Sequence, residues 1–538
     1  MEKTFNLLDE PWILVMNPDC TVSEVSLTQA LTQAHTFSGL AGELPTQDFA
    51  MLRLLLAVLH TVFSQVDETG SEQPIRDADD ALDRWEALWQ GKRFPEKPIR
   101  DYLQTWHERF YLFHPERPFY QVQEAEIGTE YTAAKLNGAI SESSNKIRLF
   151  SMRAGAEKGT LSFAEAARWL LYVNGYDDTS SKPRQKGLPS PGAGWLGKLG
   201  LIAAQGENLF ETLMLNLVLL NEKGECWGKN IPTWALEHPR TQERCEIPMP
   251  DNQAQLLTMQ SRRLLLLRKD DQVIGYHLLG GDFFDKVNAF AEQMTLWNYV
   301  AGKGSQPAYV QPKRHDPSKK IWREFSSLFV ETGETPLPGV VLWQKRLKSE
   351  GLLPQKQMTR FQVAAVQYGD KDFFVTDTFS DALGLHLSLL TDSGKVWREK
   401  ILQEIATIDD VAREIQYLGV NIERAAGGSG SALGSQLKEQ FYDRIDLPFR
   451  KFLLAADASD DLDKQEERQA AWHEEEWQIA ARLAKEAAAQ AGQDAFVGRN
   501  VIEGKKGGKD VTRHYSLPEA LNLFSWHLKK LLKSGGEE

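Results

Sequence analysis

Leu52, Leu55, Leu56, Leu59 and Phe63 recur in three- and four-residue steps, which predicts a helix with one apolar face. Pro45-Thr46 opens it, with Thr46 as its cap and Asp48 in the first turn, where a negative charge suits the helix dipole. Ahead of it, Trp12–Met16 is a β-rich run, Asn17-Pro18-Asp19 is a turn, and Ser26 caps a helix running to Ala34. Residues 81–120 are dense in aromatics, among them Trp85, Trp89, Phe110 and Phe119, and read as packed core. Residues 125–160 and 176–200 lack periodicity and are rich in Gly, Ser, Asn and Lys, so they read as two long loops. Loops of that length in a compact protein tend to be functional or disordered.

Between these loops, Leu161–Val173 is a helix opened by a capping box of Ser162 and Glu165. Leu209–Leu220 is an apolar helix. Short β-rich runs follow at Arg263–Arg268, Gln272–Leu279, Val340–Trp343, Phe361–Tyr368 and Phe373–Thr376. Beyond about residue 390 the pattern is helical only. Asp392 caps a long helix with apolar positions at 397, 401, 405, 408, 411, 415, 418 and 422, ended by the glycines after Ala426. Further helices are predicted from Ser431 to Ala456, from Asp460 to Ala491, and from a capping box of Ser516 and Glu519 to Leu532. The predicted class is α+β: a mixed α/β domain over residues 1–390, then an all-α four-helix bundle over 391–538.

The chain has 538 residues, more than the ~250–300 at which a single core stops growing, which agrees with at least two domains. Its 62 basic and 75 acidic residues give a formal charge of −13, so any contact with nucleic acid has to come from local basic patches. Cys20, Cys226 and Cys245 make no disulfide framework, and MEKTFNLLDE is not a signal peptide, so a reducing cytoplasm is expected. The longest apolar runs, Met51–Phe63 and Leu213–Leu220, are short for a membrane span and read as buried helices.

Catalytic patterns are sparse. The cysteines are too far apart for a closed zinc site, and no metal or other cofactor is expected. His473-Glu-Glu-Glu-Trp477 lacks the second histidine of a metalloprotease motif and reads as a solvated helix face. Gly192–Lys198 has the spacing of a phosphate loop. However, Leu199 stands where a Ser or Thr must bind Mg²⁺, and prolines precede the segment instead of a buried strand. A nucleotide hydrolase built on this loop is therefore a minor alternative, and a scaffold whose basic loops serve only RNA and neighbouring subunits is another.

The positive signals are basic loops. Lys182, Arg184, Lys186 and Lys198 lie in segment 181–200, which has no acidic residue and whose glycines let backbone N–H groups approach a phosphate. Asn145, Lys146 and Arg148 lie in the first long loop, Arg262-Arg263 and Arg268-Lys269 bracket a β-run, and Lys313-Arg314 and Lys319-Lys320 cluster again.

Five segments in order carry a family likeness: Asn6-Leu-Leu-Asp-Glu-Pro-Trp12-Ile, His114-Pro-Glu-Arg-Pro-Phe119, Ala164–Leu171, Asn208–Leu217 and Gln260-Ser-Arg-Arg263. Together they resemble the CasA family, the large subunit of the type I-E CRISPR surveillance complex Cascade. The resemblance implies a non-catalytic subunit that reads the protospacer-adjacent motif (PAM) on double-stranded DNA, helps open the duplex and recruits a helicase-nuclease. Implied partners are the backbone subunits, the small-subunit dimer, the guide-RNA-end-binding subunits, the CRISPR RNA and target DNA, with no membrane.

Carried across by position, the first loop is 134–153, with Asn145 and Lys146 at its tip. The glycine loop lies in 181–200, with Gly192 and Gly194 as close contacts and Lys182, Lys186 and Lys198 on phosphates. The wedge hairpin is Tyr368–Phe373, where Lys371 and Asp372 stand in place of the family's glutamine and Gln367 lies just before. Arg262 and Lys269 are the weak candidates for a lysine finger. The cysteine pairs that bind metal in some relatives are missing here.

Overall fold

In the computed structural model the stripe after Thr46 becomes the helix Pro45–Phe63, buried on nearly every side. The cap residue is Leu44, not Thr46, because Pro45 takes the first helical position, where its missing N–H would have had no partner. Asp48 and Gln47 instead reach back to accept from the N–H groups of Gly42 (2.7 Å) and Glu43 (3.1 Å). Among the described residues this helix alone has the length and apolarity of a membrane span. Yet 83% of the apolar window lies inside the protein, as in a core helix. The structure describes residues 2–138, 140–142, 146–147, 159–180, 183–354, 356–506 and 509–533.

Two compact units form, residues 1–354 with 359–382 and residues 355–358 with 383–538, and the division falls within the strand Val375–His386. In the first unit, small antiparallel sheets surround buried helices. Arg262–Lys269 and Gln272–Gly280 form a hairpin, and Thr129–Thr132 pairs with its second strand. Met358–Tyr368 lies between Val375–His386 and Leu201–Gln205. The helix Phe163–Tyr176 opens with the expected capping box of Ser162 and Glu165.

Three expectations change in this unit. Residues 125–160 are not one loop. They hold a 3-10 turn at Gln123–Ile127, the strand Thr129–Thr132, the helical turn Ala133–Leu136 and the short strands Ile140–Glu142 and Lys146–Ile147. A free edge of the 262–280 hairpin supplies the pairing that local pattern did not announce. Val340–Trp343 is helical, within Gly339–Ser349, because Val340, Trp343 and Leu347 share one buried face. The apolar helix from Leu209 stops at Asn216, whose side chain turns back to bond both backbone groups of Ala204.

The second unit is mainly helical: Lys395–Ala426, Ala432–Ala455, Leu462–Gln490 and Leu517–Leu532. The first of these packs against the other three. Gly427 closes it at φ 98°, the left-handed region that glycine enters without a Cβ clash. Asp392 falls in a preceding 3-10 turn and does not cap the helix, and Ser516 occupies the cap position without a side-chain cap bond, so the expected box does not form. The strand pair Arg499–Lys506 and Lys509–Tyr515, which local pattern did not predict, separates the last two helices. The segment His473–Trp477 is solvated only in part: Glu474 and Glu475 are exposed, while His473 and Glu476 turn inward. His473 meets the buried Glu404 at 2.9 Å, and Glu476 is fully buried.

Candidate nucleic-acid interface

Where the helix Phe163–Tyr176 ends, its last turn and the glycine-rich loop are tied to one buried guanidinium. Asp177 receives Arg262 Nε, while the rest of that guanidinium donates to the carbonyls of Ser261 (3.0 Å), Asp178 (2.8 Å) and Gly192 (2.8 Å). Arg262 is 1% exposed and therefore cannot be the surface finger expected from its basic cluster. A buried arginine needs its donors satisfied, and loop carbonyls do that here. Lys269 is exposed at the opposite end of the same eight-residue strand, about 23 Å away at ~3.3 Å per residue, and joins no site with Arg262.

The glycines have packing duties. A Cβ on Gly194 would lie 2.3 Å from the Gly175 carbonyl, and Gly194 N–H donates to the Asp177 backbone carbonyl at 2.9 Å. Gly194 is buried against the helix end, not presented to a ligand. Gly192 is half-buried, and a Cβ there would meet the Lys198 amine at 3.8 Å. Trp195 is held from below: its indole N–H donates to Glu292 (2.7 Å), which takes both arms of the buried Arg53 at 2.7 and 3.0 Å.

The hairpin tip 369–374 docks on this assembly. Thr179 donates from its N–H to the Asp372 carbonyl (3.0 Å) and from its hydroxyl to the Lys371 carbonyl (3.1 Å). Arg314 forks onto the Asp372 carboxylate at 2.7 and 2.8 Å and also donates to the Gly197 carbonyl. Its guanidinium lies 4.8 Å from the ring centre of Tyr368, whose hydroxyl donates to the Tyr176 carbonyl at 2.6 Å. Asp372 is thus an anchor of the tip, its carboxylate taken up by Arg314, and of the two wedge candidates only Lys371 projects. Lys371 and Asp372 both have left-handed backbone, at φ 56° and 58°, and the Lys371 side chain is exposed.

Lys198 stands at the centre of the remaining charge. Burial, then the nearby Arg262, Arg244, Lys286 and Arg314, bring its amine down to about 8. Arg262 and Arg314 are matched by Asp177 and Asp372. Lys198, Arg244 and Lys286 have no carboxylate partner among the described residues; Arg244 donates to the Pro189 carbonyl and covers the Phe283 ring at 3.9 Å. Burial brings Arg244 down to about 10, with Arg262 adding to the effect. The result is a cationic cradle on a chain of net −13, and its unmatched positive charge suits a phosphate.

Lys186 is exposed in the same loop, whose backbone at Arg184 and Gln185 is pinned by Glu243 (2.9 and 3.2 Å). Lys182, Asn145 and Arg148 lie outside the described residues. Lys146 begins the strand Lys146–Ile147 and pairs with Glu142. Sequence reasoning gave no role to Arg244 or Lys286, which no local motif marks, and recorded Arg314 only as a charge. Gly192–Lys198 follows a loop, ends in the single 3-10 turn Leu196–Lys198 and leads into a strand, not the strand–loop–helix of a phosphate loop. The described residues hold no group of three or more His, Cys, Asp or Glu able to bind a metal ion.

Comparison with known proteins places this architecture. The family model for CRISPR-associated protein Cse1 matches residues 6–483. The chain belongs to the Cse1 family. It is 28% identical over 433 residues to the CRISPR-associated protein CasA/Cse1 of Thermus thermophilus, covering 79% of each chain. The crystal structure of Thermobifida fusca Cse1 superposes with a TM-score of 0.81 at 27% identity, covering 98% of both chains. A chain of a CRISPR RNA-guided surveillance complex shares the fold at a TM-score of 0.66 and 17% identity, over 98% of this chain and 100% of that one. The family accounts for the mixed first unit and the helical second.

Proposed function

We propose that this chain is the non-catalytic large subunit of a type I-E RNA-guided surveillance complex, and that its first unit reads the PAM on duplex DNA and helps open the strands. The observation that carries the reading is the cradle of Lys198, Arg244 and Lys286 beside the glycine loop, positive and unmatched on an acidic protein. A phosphate in the cradle fixes the duplex but carries no sequence information. A short motif read from the degenerate minor groove then needs only a few further donors.

The docked hairpin 369–374 supports a role in strand opening. It is braced by Arg314, Tyr368 and Thr179, so Lys371 projects from a fixed base. Exchange of a DNA duplex for a guide–target duplex is nearly balanced, so one braced side chain and a phosphate contact suffice to tip it. In this reading the subunit works with the backbone subunits, the small-subunit dimer, the guide-RNA-end-binding subunits and the CRISPR RNA, and recruits the helicase-nuclease after opening. The cytoplasm is its expected compartment.

The test is binding of the assembled complex to target DNA carrying a randomised PAM, with and without this subunit. Enrichment of a short motif only when the subunit is present is the expected result. An unenriched pool with full DNA binding would favour a scaffold role, and Mg²⁺-dependent ATP hydrolysis by the purified chain would favour the phosphate-loop alternative.

A further inference from the structure

The strand Tyr309–Lys313 forms part of a groove that the DNA reading does not use. An open concavity of about 650 Å³ is lined by Phe290, Tyr299 and Tyr309 together with the carboxylates Glu222, Glu331 and Glu334. Lys345 neutralises Glu331 at 3.1 Å. Glu222 and Glu334 are exposed and have no cationic partner among the described residues. A second cavity of about 260 Å³ shares Glu222 and is lined by Trp343, Lys345 and Arg346. Trp343 is 3% exposed, and its indole N–H has no hydrogen-bond partner among the described residues.

Each part selects a chemistry. Aromatic faces beside unpaired carboxylates attract a guanidinium or ammonium group, through the ring quadrupoles and through charge. An indole N–H buried without a partner is a costly group that a carbonyl oxygen satisfies. The larger concavity is open to solvent, which suits a side chain from a polypeptide lying across it better than an enclosed small cation. The adjoining donor suits a backbone carbonyl of the same polypeptide.

We propose that this double groove docks an extended, arginine- or lysine-bearing segment of a partner protein. The cation enters between the rings and Glu222 and Glu334, and a neighbouring carbonyl reaches Trp343. None of these residues belongs to the phosphate cradle, so the proposal stands independently of DNA reading.

The test uses the intact chain and a fluorescein-labelled peptide alternating glycine with arginine and lysine, followed by anisotropy at low ionic strength. Saturable binding is expected, with the same peptide carrying citrulline and acetyl-lysine failing to bind. Glu222→Gln combined with Glu334→Gln, both at exposed positions, should weaken binding about fivefold or more while leaving DNA binding unchanged. Trp343→Phe, which keeps the ring bulk, should weaken it about two- to fivefold. Absence of saturable binding, unchanged affinity in either variant, or equal competition by spermine would overturn the proposal.

Discussion

Arg314 and Asp372 are joined by a two-pronged ion pair, 2.7 and 2.8 Å, that fastens a hairpin tip to the loop carrying Lys198. Both side chains are one-third exposed, so the pair works through geometry as much as through energy. It turns two segments far apart in sequence into one surface.

Asp372→Ala should free the tip. Arg314 would lose its carboxylate while keeping its bond to Gly197, at a cost of about 1 kcal/mol for a partly exposed bidentate pair. Faster proteolytic cleavage within 369–374 and slower strand opening are expected. Lys371→Ala should leave proteolysis unchanged and slow R-loop formation more than it weakens duplex binding. Stopped-flow strand-opening rates identical to wild type would remove Lys371 from the wedge role.

Replacing Lys186 and Lys198 by Ala, with Lys182 added in a triple variant, should flatten the salt dependence of duplex binding. Every DNA phosphate that a lysine no longer neutralises lowers the log–log slope by about 0.9. Titrations at several salt concentrations give the slope directly, and bystander lysines would leave it where it was.

The same lysine gives a pH signature. Its amine, held near 8 by burial and neighbouring cations, is charged at pH 7 and largely neutral by pH 9. Duplex affinity should therefore fall across that interval. Lys198→Arg keeps its charge throughout and should abolish that part of the pH dependence.

Arg262→Met should act on stability first. It leaves the Asp177 carboxylate buried without its partner and frees the carbonyls of Asp178 and Gly192, so a loss of about 3–5 kcal/mol is expected. Thermal unfolding measures it. A fully stable variant with weakened DNA binding would return Arg262 to the role of a contact residue.

In the helical unit, Glu476 is buried with neither carboxylate oxygen partnered, and burial, then Glu404, raise its carboxyl well above the usual range. The folded state thus favours the protonated form. Stability contributed by this group is present below the unfolded carboxyl range and is lost as pH rises toward its raised value. Glu476→Gln should raise the melting temperature at pH 8 and flatten the alkaline side of the stability profile. An identical profile in melts from pH 5 to 9 would count against it.

Sequence by itself determined the elements whose signals are local. The stripe from Trp397 to Ile422, the capping box of Ser162 and Glu165, and the β-runs around 263–279 need no distant partner to declare their period or their ends. Five ordered motifs were enough to point to the Cse1 family that the comparisons establish. Tertiary structure alone decided what each basic residue is for. Arg262 and Lys269 look alike in sequence, but one is sealed against Asp177 and the other is exposed at a hairpin end. The stripe at 401–408 shows the same limit, since Glu404 faces inward to meet His473 from another helix while Ile405 is only half-buried. Period gives the faces of an element, but the neighbours that cover a face, and the counter-charges that await there, come from segments distant in sequence. The cradle joins Lys198, Arg244 and Lys286, beside ion pairs that involve Asp177 and Asp372, and only folding places them side by side.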